Sequence, residues 1–272
     1  MKNLLSPDGE DALRTLIQSH PLFAFDFEGT LSPTSIMPER ARMTLGVYRG
    51  FRSLCAVAPV AIIAGRSVAD VSQRLLTKPH YLIGDFGAEG GVVPPAMVLP
   101  FRDICSDWMQ QIMQQLRWQD MDPSLSIEQN ACSIRVHFRF ARDREKVARA
   151  VEASLSQLHP APQIIAGKYS IHLLPQGAPD KRLALECLLR HEEKQCALYI
   201  GDDDADEVVF RHAPRDWLTV KVGRDRHSSA RFFLHHQNEM TECLQLIVRL
   251  VQLQHQAEQT ALRRSAGTGR SS

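Results

Sequence analysis

A short apolar run that ends in paired carboxylates constrains this chain more than any other stretch. Residues 22–31 read Leu-Phe-Ala-Phe-Asp-Phe-Glu-Gly-Thr-Leu. Leu22 to Phe25 carry the signature of a buried strand, and Gly29 breaks the pattern. In an open α/β sheet, ligands sit beyond the carboxyl ends of the strands. Asp26 and Glu28 are therefore placed for chemistry. Asp26 could attack as a nucleophile or bind a metal; Glu28 could move a proton or act as a second acid near that metal. Taken alone, the pair fits a polar turn after a core strand equally well.

The surrounding pattern repeats. Residues 59–63, 81–83, 197–200 and 217–222 are further apolar runs. The first ends at Ala64-Gly65-Arg66-Ser67, and the 197–200 run ends in Gly201-Asp202-Asp203-Asp204-Ala205-Asp206-Glu207. Apolar residues at helical spacing predict helices over 8–18, 44–55, 180–191 and 238–253. They also predict one after Ser67 with Val68, Val71, Leu75 and Leu76 on one face, and a short one through Val208, Val209 and Phe210. Strands alternating with helices predict a parallel sheet.

The rhythm changes between residues 101 and 176. An amphipathic helix is expected over 101–118, strands over 126–129 and 132–140, a helix over 142–158, and a hairpin of 163–166 and 170–174 turning at Gly167-Lys168. In the 132–140 segment Ile134, Val136, Phe138 and Phe140 alternate with Arg135, His137 and Arg139, so one face is apolar and the other basic. That basic face fits either a solvated strand or a row of anion-binding groups. The expected organisation is an α/β core over 1–100 and 177–262, an inserted α+β cap over 101–176, and a disordered tail over 263–272.

Formal net charge is +1 in 272 residues, so no strong field favours nucleic acid or a membrane surface. No run reaches the roughly 18 apolar residues that a membrane span needs. The amino terminus lacks a secretory pattern. The six cysteines have neither zinc nor redox spacing, and several sit in apolar runs. The expected location is cytoplasmic.

Asp26 with Glu28, the Arg66 segment, Lys181, and Asp202 to Asp206 all fall where strands of one sheet should end or just inside the following helix. Carboxylates from two strand ends can hold Mg2+ through oxygen, with phosphate as co-ligand. A nearby lysine can neutralise an aspartate and a phosphoryl group, and an aspartate can accept that group as an acyl-phosphate. Glu28 would then protonate the leaving oxygen and deprotonate the attacking water.

These residues resemble the haloacid dehalogenase-like phosphatase superfamily, whose first motif is Asp-x-Asp-Gly-Thr-Leu. Here it stands as Asp26-Phe27-Glu28-Gly29-Thr30-Leu31. More narrowly, the chain resembles the trehalose-6-phosphate phosphatase family. The similar segments are Ala61 to Arg66, Gly87-Ala88-Glu89, the strand carrying His137 and Arg139, and Gly201 to Glu207 followed by Phe210. The resemblance implies a Rossmann-like core with an α+β cap and Mg2+-dependent hydrolysis of trehalose 6-phosphate. It also implies a small-molecule sugar phosphate as partner and a functional link to a trehalose-phosphate synthase.

By the same resemblance, Asp26 is the nucleophile, Glu28 the acid/base and Lys181 the motif lysine. Asp26, Glu28 and Asp202 are the metal set, with Asp203 and Asp206 behind it. Arg66, Glu89, Arg135, His137, Arg139 and Lys168 would hold the substrate. The chain departs from the family at Glu28, where an Asp is expected, and at Ala64, where a hydroxyl is expected. Phe86 replaces a polar residue, Ala205 a Thr, and His172 lies in the cap segment where a sugar-binding Glu is expected.

Overall fold

The computed structural model of the chain describes residues 1–34, 41–115, 124–166 and 169–268. Its first half opens with β1 (Lys2–Asn3), α1 (Pro7–Ile17), β2 (Leu22–Phe25), α2 (Leu45–Cys55), β3 (Val60–Ile63), α3 (Val68–Ser72) and β4 (Tyr81–Ile83). There follow α4 (Leu99–Gln115), β5 (Ser126–Gln129), β6 (Ile134–His137), α5 (Arg144–Leu155), β7 (Gln163–Ala166) and β8 (Ser170–Leu174). The chain ends with α6 (Lys181–His191), β9 (Ala197–Gly201), α7 (Glu207–His212), β10 (Leu218–Val222), β11 (Phe232–Leu234) and α8 (Met240–Thr268).

Two sheets result. One has seven strands in the order β1-β11-β10-β9-β2-β3-β4, with every pairing parallel. All four residues of β2 and of β3 and all five of β9 are buried, as strands covered by helices on both faces must be. The other sheet is antiparallel, ordered β5-β6-β8-β7. It has its own apolar cluster, where Trp108, Ile112, Val151 and Leu155 meet Ile134, Val136, Ile171 and Leu173. The Trp108 indole N–H, buried among them, donates to the Pro160 carbonyl at 2.7 Å, which satisfies the ring's one polar atom. This is the expected α/β fold with a second, antiparallel layer as cap.

The strand order positions the site. From β2 the chain moves to β3 and β4 on one side, whereas β9 leads to β10 and β11 on the other. The direction of winding thus reverses between β2 and β9, and a crevice opens beyond the carboxyl ends of strands at such a point. Asp26 follows β2 and Asp202 follows β9, side by side in parallel register, with Phe25 opposite Ile200.

Several expectations change. The strand expected over 132–140 is only β6, and Phe140 is exposed. The stripe after Ser67 does not continue as helix beyond Ser72, so Leu76 is 76% exposed. Beyond Leu253, α8 continues to Thr268, which takes in the first part of the expected tail; residues 269–272 and the Gly167-Lys168 turn lie outside the described residues. Strand β1 at the edge and β11 beside it are two members that the apolar runs do not reveal. Among the described residues no helix is long and apolar enough to cross a membrane. All six cysteines are free, five of them buried.

Candidate active site

Lys181 lies at the centre of the polar cluster. It is the first residue of α6, whose N-cap Asp180 accepts from the Leu183 N–H at 2.7 Å. Its ammonium is 1% exposed and donates to Asp26 Oδ1 at 2.8 Å and Asp206 Oδ1 at 2.7 Å. Burial opposes that charge, but the Asp203, Asp206 and Asp26 carboxylates outweigh it and hold the pKa well above the usual lysine value.

Asp206 is completely engaged. Tyr199 donates its hydroxyl to Oδ1 at 2.7 Å, while the N–H groups of Asp202 and Asp203 donate to Oδ2 at 2.8 and 3.0 Å. Burial would raise its pKa; Lys181 and these donors lower it instead. Asp26 differs. Burial pushes it up to about 6 against the pull of Lys181, a displacement typical of functional carboxylates.

One carboxylate oxygen each from Asp26, Asp202 and Asp206 lie within 4.8 Å of one another. Two glycines permit the approach. A Cβ on Gly29, at φ +93°, would lie 1.9 Å from Asp202 Oδ2, and one on Gly201 would lie 2.2 Å from Asp206 Cγ. Thr30 adds a hydrogen bond from Oγ1 to Asp202 Oδ1 at 3.2 Å. An all-oxygen group of this kind suits a hard divalent cation.

Glu28 is not part of that group. Its carboxylate accepts from Arg66 Nε at 2.8 Å, and Arg66 Nη1 continues to Asp70 at 2.9 Å. The structure therefore gathers Asp206, rather than Glu28, with Asp26 and Asp202. Asp203 behaves as a brace, with Oδ1 accepting from the Asp206 N–H at 3.2 Å.

Above the cluster lies a cavity of about 270 Å³ between the two sheets. Its floor holds Asp26, Glu28, Arg66 and Asp202; its roof holds Arg135, His137 and Arg139. The basic side chains Arg135 and His137 of β6, with Arg139 beyond its end, thus face the carboxylates across the cavity. Arg135 reaches across to the Gly65 carbonyl at 2.8 Å, and Arg139 lies 5.2 Å from the Tyr169 ring centre. One expected substrate residue is not placed there. The Glu89 carboxylate accepts from the Val68 N–H at 2.7 Å, at the start of α3, and Lys168 lies outside the described residues. Sequence reasoning passed over Tyr199, Thr30 and Ser170. Tyr199 carried a signal, a lone hydroxyl within an apolar strand, since a buried hydroxyl needs a partner.

The model of the trehalose-phosphatase family matches residues 24–238, most of the chain. This chain belongs to the trehalose-phosphatase family. It is 31% identical to a trehalose-phosphate phosphatase of Mycobacterium avium over 84% of its length. It is 30% identical to that of Mycobacterium tuberculosis over 89%. It spans only 63% and 66% of those two relatives. The C-terminal domain of a trehalose-6-phosphate phosphatase from C. albicans shares the fold, with a TM-score of 0.68 at 20% identity, covering 88% of this chain and 96% of that one. Within the trehalose-phosphatase family match lie the three clustered carboxylates, Lys181, and the basic side chains Arg135, His137 and Arg139.

Proposed function

We propose that this chain hydrolyses trehalose 6-phosphate to trehalose and phosphate, with Asp26 as nucleophile. The observation that carries the reading is the Lys181 bridge, which joins Asp26 to the fully engaged Asp206 directly beneath a cavity roofed by arginines. Family membership and the two mycobacterial relatives support the substrate.

Lys181 donates to Oδ1 of Asp26 and holds the carboxylate in place, and a carboxylate oxygen of Asp26 would attack phosphorus. The P–O bond to the sugar breaks as the Asp26–phosphorus bond forms, giving an aspartyl-phosphate; water then attacks phosphorus and returns Asp26 as carboxylate. Arg66 and Arg135 line the volume where phosphoryl oxygens would lie and would offset their charge. Glu28, the other carboxylic acid at the end of β2, would in its acid form pass a proton to the leaving oxygen once Arg66 turns from it to the phosphate, and would regain one from the attacking water.

The residues fit Mg2+. Asp26 and Asp202 would hold it, with Asp206 fixing the Asp202 backbone. When bound, the ion would supply positive charge against the phosphoryl oxygens. On this reading a trehalose-phosphate synthase is the functional partner that supplies substrate. The core comprises 1–100 with 177–262 and the cap 101–176, and the location is cytoplasmic.

Phosphate release from trehalose 6-phosphate with Mg2+ tests the proposal, beside Asp26→Asn. A second reading, a sugar-phosphate-binding protein of little turnover, is favoured by the pairing of Glu28 with Arg66. Binding of trehalose 6-phosphate without phosphate release would select it.

A further inference from the structure

The cap contributes an ordered chain of donors that ends at the cavity. Arg135 Nε lies 3.3 Å from His172 Nδ1, and His172 Nε2 lies 3.1 Å from Ser170 Oγ. All three side chains line the cavity. Strand register explains the alignment: Arg135 faces His172, and His137 faces Ser170, on neighbouring antiparallel strands. Ile171 and Leu173 point the other way, into the cap's apolar cluster.

Guanidinium can only donate, so Nδ1 of His172 must accept and carries no hydrogen. The neutral ring therefore bears its hydrogen on Nε2 and donates it to Ser170 Oγ. Burial, and after it the Arg135 charge, push the His172 pKa well below 6.5, in keeping with a neutral ring. Phe86 packs edge-on against the imidazole, with ring centres 5.3 Å apart, and fixes its plane. With a lone pair of Oγ occupied, the Ser170 hydroxyl hydrogen remains to be donated.

We propose that Ser170 is a specificity-determining residue that donates a hydrogen bond to a hydroxyl or ether oxygen of the sugar carrying the phosphate, with His172 as its positioning residue. The inference rests on the phosphatase reading above and deepens it. It assigns the sugar-facing wall of the cap to a donor rather than to a carboxylate acceptor.

Steady-state kinetics on trehalose 6-phosphate and on p-nitrophenyl phosphate, which lacks a sugar, test it. Ser170→Ala should raise KM for the sugar phosphate about 3–10-fold, the range of one hydrogen bond. It should lower the ratio of kcat/KM between the two esters by the same factor. His172→Leu should do likewise. His172→Gln keeps one acceptor and one donor and should restore most of the ratio. An unchanged ratio in Ser170→Ala, or failure of the glutamine to rescue where leucine fails, would overturn the inference. Wild-type protein that cleaves neither ester overturns the phosphatase reading alone. Calorimetric titration with trehalose 6-phosphate then reads the inference directly: weaker binding by Ser170→Ala supports it, and equal affinity or no binding to wild type overturns it.

Discussion

At the scale of single residues, one ammonium holds two buried carboxylates. Lys181→Met would leave Asp26 and Asp206 without their shared counter-charge, and breaking a buried pair on one side costs about 3–5 kcal/mol. Urea denaturation should show a loss of that order. Tyr199→Phe removes one donor of the four on Asp206 and should cost about 1.5 kcal/mol, the lower end for a hydrogen bond to a charged group. Glu28 gives the opposite kind of prediction. Its carboxylate lies with Arg66 rather than with Asp26 and Asp202. Glu28→Asp shortens the side chain by one methylene and draws the carboxyl back by roughly 1 Å, undoing a misplacement of the longer acid that can cost about 100-fold in rate. Phosphate release should therefore speed up; an unchanged or slower rate would show that the longer acid is already in position.

At the scale of elements, the turn after β4 ties core to cap. Asp85 and Phe86 both have positive φ, 46° and 58°. From this turn Asp85 accepts from the Cys132 N–H at 2.6 Å and from the Ser133 hydroxyl, while Phe86 packs with Leu174 of β8. Burial raises the Asp85 pKa to about 6, despite those two donors. A carboxyl whose folded pKa lies above its unfolded value contributes stability that is present at low pH and lost as pH rises from about 4 through 6. The stability of wild type minus that of Asp85→Asn should hence grow on the order of 2 kcal/mol from pH 7.5 to pH 4.5. Melting curves at the two pH values would measure it.

Much of this level was legible in the residues. The bounds of β7 and β8 match those of the expected hairpin strands, and the buried runs locate β2, β3 and β9. Strands β1 and β11 did not stand out, because two or three residues carry no periodicity and exist only through pairing with a neighbour. Helix α3 misled in the opposite way: its stripe runs on to Leu76, but packing ends near Leu75. Within the site, strand ends located Asp26 and Asp202, and the start of a helix located Lys181. Which partner Glu28 chooses, and that Glu89 is spent on the start of α3, depend on contacts distant in sequence.

At the scale of the molecule, function depends on a negative floor and a positive roof meeting across one cavity. The floor concentrates carboxylates that repel one another: burial and the nearby Asp26 charge raise the Asp202 pKa well above its ordinary value. A divalent cation there should relieve that repulsion and stabilise the folded chain by mass action. Mg2+ should raise the melting temperature of wild type more than that of Asp202→Asn. The most direct test of the central claim is phosphate release from trehalose 6-phosphate with Mg2+, measured for wild type and Asp26→Asn side by side. The account predicts release by wild type and background release by the variant. No release by wild type, or equal release by both, would contradict it.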